Sequence, residues 1–521
     1  MLTAPFLYHL HTASETRELD RYTIEDFGID GITLMELAGT QAAQDINEYV
    51  QAGWKGIFLC GKGNNAGDAL VVARYLIQRA IDVELVFVGG TDKLSAETQQ
   101  NHALLQKVSK AEASGSLAIY RNWQSFQEQF TSKLFQPDFI VDGMLGTGLN
   151  SNLRGDYTKA VEWANAQESP TFSMDIPTGL HADEGRIMGD SIIASKTYTF
   201  GARKTGLYLN EAKTQTGNIE LCELPFPIGA RPSRADYLID QRWFPRNHPS
   251  ENVRPSHKYE AGVLYVIAGS AGLTGAASMA ALSAWKEGLG GVILVTPRGL
   301  LPYYGDALMQ IIKYPIGNAE DTCFSPEHTG EIIETVTERP GTVLLGPGLG
   351  REQSTRSFVD RFLRNFEGDV LIDADGLDAL SRLGLSHSDR PPKSQWMLTP
   401  HPGELARLSD DPSGSVRDDA DRLKLARQLA GDLDINVLSK GNPVMLVEAN
   451  GRTGFTNYDT TAYNRAGFGD VLAGKIAAHW TRTADPVFSA IRGLLRGEEI
   501  RKNKASQTSR DYQALEPFDF L

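Results

Sequence analysis

At 521 residues, 41% hydrophobic and 22% charged, the chain is globular and too long for one ordinary core, so two domains of about 200–250 residues are expected. A net charge of −14 speaks against a nucleic-acid surface, and no apolar run reaches the roughly 18 residues of a membrane span. Cys60, Cys222 and Cys323 give neither a disulfide framework nor a zinc pattern, and the N-terminus has no basic region leading into an apolar stretch. The expectation is a cytoplasmic protein with reduced thiols and no signal peptide.

A helical pattern carrying Met35, Leu37 and Ala38 precedes an apolar run over 57–60, expected as a strand. GKGNNAGD follows at 61–68, and a helical pattern over 69–80 comes next. Strand, Gly/Asn turn and helix together aim backbone N–H groups and a helix N-terminus at a phosphate. Further strands are expected over 83–88, 139–141 and 171–174, with a helix over 157–166. This alternation predicts a parallel sheet covered on both faces. Asp142 ends one strand before GMLGTGL and Asp175 ends another before IPTGL. Ligands of open α/β sheets bind along that edge. Asn, Asp and Thr with backbone carbonyls suit a hard cation such as potassium or magnesium. A plainer reading stays open: Asn64 and Asn65 form a local turn, and each Asp caps the element that follows.

Prolines at 225, 227, 232, 245, 249 and 255, with no sustained periodicity, mark a linker. Beyond it come a strand over 263–267, GSAGLTGAA, a helix through Trp285, and strands over 292–295, 343–345, 370–373 and 437–438. AGFGD, at 466–470, opens a helix expected to begin at Val471. Gly467 and Gly469 let the backbone curl round a phosphate, and Asp470 there can take a proton from a hydroxyl. Gly-Asp before a helix is also a common N-cap. From Ser506 onward the chain is expected to fray, and no internal repeat is visible.

TASETRELDRYTIEDFGIDGITLMELAG, CGKGNNAGD, VDGMLGTGL, MDIPTGLHADEG and TFGARKTGL resemble, in order, the motifs of the NAD(P)HX epimerase (YjeF-type) domain. HKYEAGVLYVIAGS, TGA, LGPGLG, DADGLDAL, TPHPGE and GFGD resemble those of the ADP-dependent NAD(P)HX dehydratase. The resemblance implies an α/β protein: a Rossmann-like three-layer α/β/α domain over 1–228, a linker over 229–256, a ribokinase-like α/β domain over 257–505 and a tail over 506–521. It also implies repair of NADH and NADPH hydrated at C6 of the nicotinamide ring. The first domain would interconvert the R and S epimers. The second would dehydrate the S form with ADP, giving NAD(P)H, AMP and phosphate. Phosphorylating the C6 hydroxyl lets the ring nitrogen expel phosphate, so a kinase fold suits a dehydratase.

Carried onto this sequence, Asn65, Asp142 and Thr178 would hold K+. Asn64, Asn65, Ala66, Gly67, Asp68, Gly146, Thr147, Gly148, Leu149, Asn150, Ser151, Asn152 and Asp175 would contact the hydrated nucleotide. Asp142 is expected to be the epimerase acid/base, with Asp175 the alternative. Lys204 is expected to meet substrate phosphate, to pair with Asp142, or to lie solvated at the surface. In the second domain Ala276, Gly348, His401 and Asp470 would contact the hydrated substrate, Asp470 acting as base. Lys440, Gly441, Asn442, Pro443, Val444 and Gly469 would bind ADP, accompanied by Mg2+. The partners implied are small molecules, with neither nucleic acid nor membrane, and the sequence leaves homo-oligomerisation open.

Four departures from the family pattern stand out. Ala66 and Ala69 replace glycines, which would set methyl groups where backbone approaches ligand. Thr178 replaces Ser. Asp378 replaces Asn, adding charge near the second site. Tyr463, Arg465 and Phe468 occupy a normally small, Gly-rich run, so a reshaped anion hole is expected. The rival readings are a small-molecule kinase in the second half and a non-enzymatic scaffold in the first.

Overall fold

The computed structural model describes residues 6–111, 114–130, 136–230, 235–245, 262–305, 308–384, 386–409, 416–507 and 516–521. Two compact units meet in sequence between Asp236 and Tyr237.

The N-terminal unit runs β1 (His9–His11), α1 (Ala13–Arg21), α2 (Gly31–Ile46), β2 (Lys55–Cys60), α3 (Asn64–Ile77), β3 (Asp82–Phe87), α4 (Ala96–Ala111) and β4 (Leu117–Tyr120). It continues with α5 (Trp123–Phe130), β5 (Phe139–Gly143), α6 (Asp156–Asn165), β6 (Thr171–Met174), β7 (Lys196–Phe200), β8 (Arg203–Lys204), α7 (Ala212–Gln215) and β9 (Asn218–Cys222). A seven-stranded sheet has the order β4-β3-β2-β5-β6-β7-β9, with every neighbouring pair parallel. The short β1 pairs in parallel with β8. Along β2 the side chains alternate between two cores: Phe58 and Cys60 pack in one, Ile57 and Leu59 in the other. Burial on both faces is why this strand reads as an unbroken apolar run. The chain leaves β2 toward β3 and β4, then returns to β5 and proceeds the other way. That reversal opens a crevice at the carboxyl ends of β2 and β5, where the motifs cluster.

The C-terminal unit runs β10 (Asp236–Ile239), β11 (Val263–Ile267), α8 (Thr274–Lys286), β12 (Gly291–Pro297), β13 (Ile312–Ile316), α9 (Thr329–Glu338), β14 (Thr342–Leu345), α10 (Gln353–Asn365) and β15 (Asp369–Ile372). There follow α11 (Asp375–Leu380), β16 (Gln395–Leu398), α12 (Pro402–Leu408), α13 (Asp419–Leu433), β17 (Asn436–Ser439), β18 (Met445–Val447), β19 (Thr453–Thr456), α14 (Phe468–Thr483) and α15 (Pro486–Gln507). The strands of this unit lie in the order β13-β12-β11-β14-β15-β16-β17-β18-β19-β10. The strands are parallel as far as β17, and β18 is antiparallel to both neighbours. Helix α14 is buried and packs on α8 and α15.

Three expectations need correction. The stretch expected as linker contains β10, which pairs in parallel with β19 through Tyr237, Leu238 and Ile239. Residues 231–234 and 246–256 of that stretch lie outside the described residues. The tail expected to fray carries α15 to Gln507, and Pro517–Phe520 form a 3-10 helix with Phe520 buried; residues 508–515 are outside the described set. Helix α3 begins at Asn64, earlier than expected, so the Asn pair lies in its first turn and not in a loop.

Candidate active sites

The first site is a cavity of about 610 Å³ at the carboxyl edge of the N-terminal sheet. Gly61 follows β2, and any Cβ there would collide with the Met144 carbonyl, so the loops after β2 and β5 can touch only through a glycine. The first turn of α3 brings Asn64, Asn65 and Asp68 to the cavity, and the loop after β5 brings Gly146, Thr147, Gly148, Leu149, Asn150 and Ser151. Asp175 leaves β6 with φ of +61°, a left-handed conformation uncommon outside glycine, which turns its carboxylate to the cavity wall. Lys204 is 1% exposed and ion-pairs with Asp175. Its Nζ also donates to Thr199 Oγ1 at 3.2 Å and to the Phe200 carbonyl at 3.1 Å.

Beneath the cavity, Asp142 is fully buried and accepts four hydrogen bonds. They come from Thr178 N at 2.8 Å, Thr178 Oγ1 at 2.7 Å, Ser173 Oγ at 2.9 Å and Met144 N at 3.2 Å. Burial lifts its pKa above the usual carboxylate value although these bonds pull it down. Asn65 Nδ2 donates to the Leu145 carbonyl at 3.1 Å, while its buried Oδ1 has no hydrogen-bond partner. Oxygens of Asn65, Asp142, Thr178 and Leu145 thus converge, and the orphaned Oδ1 fits a bound cation.

The second site lies at the carboxyl ends of β11 and β14 through β17. Lys440, after β17, bonds Asp373 Oδ1 at 2.5 Å, and Asp373 also accepts from Thr399 Oγ1 at 2.8 Å. Burial pulls the Lys440 pKa down, but Asp373, Glu404 and Asp470 outweigh it and the net shift is upward. Lys440 Nζ stands over the start of α14, 3.2 Å from where a Cβ on Gly469 would be. Gly467 takes φ of +95° to let the chain enter that helix, and Asp470 sits in its first turn. Burial first, and the Asp373 charge second, push the Asp470 pKa up to about 7. His401 caps α12, its Nδ1 accepting from Gly403 N at 3.0 Å and Glu404 N at 3.3 Å. Its pKa is lowered, by burial and then by Lys440. A Cβ on Gly348 would lie 3.3 Å from Ala276, so these two glycine-loop positions are neighbours.

Residues 31–206 match the family model of the YjeF-related protein N-terminus, and residues 264–516 match that of NAD(P)H-hydrate dehydratase. A bifunctional NAD(P)H-hydrate repair enzyme of Salinibacter ruber is 32% identical over 527 residues, spanning 98% of this chain and 95% of that one. The chain belongs to the bifunctional NAD(P)H-hydrate repair enzymes. A second such enzyme, of Thermofilum pendens, is 32% identical over 89% of this chain and 86% of its own. Among solved structures, the ADP/ATP-dependent NAD(P)H-hydrate dehydratase of Bacillus subtilis, co-crystallised with ATP/Mg2+, covers 53% of this chain and 94% of its own, at 21% identity and a TM-score of 0.43.

For this repair enzyme the structure moves several expected residues. Asp142 does not line the cavity, because four donors hold it under the floor; a proton-transfer role suits Asp175 better. Lys204 is neither solvated nor partnered with Asp142, but pairs with Asp175. Ala66, Gly67 and Asn152 do not line the cavity either. The Ala66 and Ala69 methyls are fully buried in the core, pointing away from any ligand. Asp378 adds no free charge: Arg382, Arg356, Arg407 and Arg351 surround it at 3.5, 3.7, 3.8 and 3.9 Å. Tyr463 and Phe468 pack against each other with ring centroids 5.6 Å apart.

Two residues, Asp20 and Arg422, went unrecognised. Asp20 of α1 lines the first cavity, and burial raises its pKa to about 6, helped by Asp175 and opposed by Lys204. The spacing of Thr16, Asp20 and Ile24 on one helical face was the available signal. Asp68 is raised well above the ordinary value by burial, then by Asp175 and Asp20. Arg422 of α13, 2% exposed, donates to the carbonyls of Ser439 at 3.1 Å, Lys440 at 3.0 Å and Pro443 at 2.6 Å. It braces the loop expected to bind nucleotide, and a lone arginine within a helix gives no sequence signal for that.

Proposed function

We propose that the N-terminal unit epimerises hydrated NADH and NADPH at C6 and that the C-terminal unit dehydrates the S epimer with ADP as co-substrate. The observation that carries the first reading is Asp175, held on the cavity wall beside Lys204 and above an oxygen cluster. Epimerisation at a carbon bearing both hydroxyl and ring nitrogen needs a proton given and withdrawn. Asp175 supplies a carboxylate beside Lys204, and Asp20, with a pKa of about 6, exchanges a proton near neutrality. Asn65, Asp142 and Thr178 would hold K+, the Thr178 hydroxyl turning its proton away from Asp142. Bound there, the cation would balance the buried carboxylate and fix the Leu145 carbonyl.

In the C-terminal unit Asp470 takes the proton of the C6 hydroxyl as that oxygen bonds to the terminal phosphorus of ADP and AMP departs. Lys440 and the N-terminus of α14 face the phosphates. The ring nitrogen then expels phosphate, and loss of the C5 proton restores the dihydropyridine. Mg2+ would enter with the nucleotide and offset its charge. No helix of the described residues is long and apolar enough to cross a membrane; a cytoplasmic setting belongs to this proposal. The test is conversion of mixed epimers, read as returning dihydronicotinamide absorbance, with and without ADP and with K+ exchanged for Na+. Conversion that proceeds equally without ADP would sink the dehydratase assignment.

A further inference from the structure

A second cavity in the C-terminal unit, of about 100 Å³, adjoins the loop read above as the nucleotide strip. Lys440, Gly441, Val444 and Gly469 line it. Aromatic side chains also line it: Tyr463, Phe468 and, from the C-terminal 3-10 helix, Phe520. Phe520 is 3% exposed and meets Phe468 edge to face at 5.2 Å and Tyr463 at 5.7 Å. Lys504 Nζ bonds Asp519 at 2.7 Å and ties this segment to α15. Pro517 lies beside Gly467, 3.1 Å from where a Cβ would be, at the entrance to α14. The matched family stretch ends at residue 516, so Phe520 lies beyond it. The bulky Tyr463 and Phe468 and the late Phe520 therefore form one assembly.

We propose that Phe520, with Tyr463 and Phe468, is the wall against which the adenine ring of ADP stacks, making the C-terminal segment part of the nucleotide site of the dehydratase. The proposal rests on reading Lys440 to Val444 and Gly469 as the nucleotide strip. At about 100 Å³ the cavity takes a flat ring and not a whole nucleotide, leaving ribose and phosphates to run toward Gly469. Aromatic rings in edge-to-face contact hold one another still, so a base meets a wall already ordered.

The test uses the full chain and compares wild type with Phe520→Ala, Phe520→Leu and Phe520→Tyr. ADP affinity is read by calorimetry, KM and kcat by dehydration, and folding by thermal melting. Loss of base stacking should weaken ADP about tenfold or more in Phe520→Ala. The effect should fall on KM far more than on kcat. Phe520→Tyr should restore affinity, whereas Phe520→Leu, which keeps apolar packing without a ring, should not. ADP binding unchanged in Phe520→Ala, or rescued equally by Leu, overturns the wall. Tighter ADP binding in Phe520→Ala also overturns it, since the segment would then be an obstruction. Wild type that takes no ADP at all removes the nucleotide reading itself, a result separable from the others.

Discussion

Asp175 combines a strained backbone angle with a buried counter-charge, and the two can be tested apart. Asparagine tolerates the left-handed region nearly as well as any residue with a Cβ, so Asp175→Asn removes charge while keeping the turn. Epimerisation should fall by about 10²–10⁴. Melting should also show a loss of roughly 3–5 kcal/mol, because the Lys204 ammonium stays buried without its partner. Adding Lys204→Met should return most of the stability and none of the epimerisation. At the other site, Asp470→Asn should abolish ADP-dependent dehydration, and in wild type dehydration should decline as pH drops below about 7 and the base takes up its proton. The stability effect has the opposite sense. With its folded pKa raised, Asp470 favours folding fully only below the ordinary carboxylate value, and that contribution is lost as pH rises through about 7. Asp470→Asn should therefore melt higher than wild type at about pH 8, by ~1–3 kcal/mol, and nearly equal to it at about pH 4. The sequence pointed to Asp142 and Asp175 because each ends an apolar strand before small residues. It put Asp142 ahead of Asp175, because which oxygens already hold donors is not legible there.

Helix α3 shows what periodicity reveals and what it hides. Its apolar rows were legible, but its first turn was read as loop because adjacent asparagines and glycines mimic turn composition. Only the packing shows that Ala66 and Ala69 face the core. Restoring glycine at either should cost about 1 kcal/mol by urea unfolding, from lost helix propensity and lost packing, with KM for the hydrated substrate unchanged. A KM that moves while stability holds would return these methyls to the ligand. Helix α13 offers the complementary case. Arg422→Lys keeps a charge but loses the fork that spans three carbonyls. KM for ADP should rise severalfold as the 439–443 loop loosens, and epimerisation should not change.

At the scale of the molecule, each catalytic set lies within one compact unit. In a mixture of epimers, Asp175→Asn should give a dihydronicotinamide yield that stops near the S fraction and then creeps upward only with spontaneous epimerisation. Rapid conversion of both epimers by that variant would move the N-terminal chemistry elsewhere. The two-domain plan was readable from length and motif order. The position of the join was not, because prolines at 225, 227 and 232 conceal a four-residue strand that follows them. That strand has a practical consequence. A fragment begun at residue 257 would lack β10 and leave β19 with a row of bare N–H and C=O groups, an invitation to intermolecular pairing. Insolubility of such a piece would reflect this uncovered edge and not a dehydratase unable to fold, and a cut placed a few residues before Asp236 would keep β10 paired with β19.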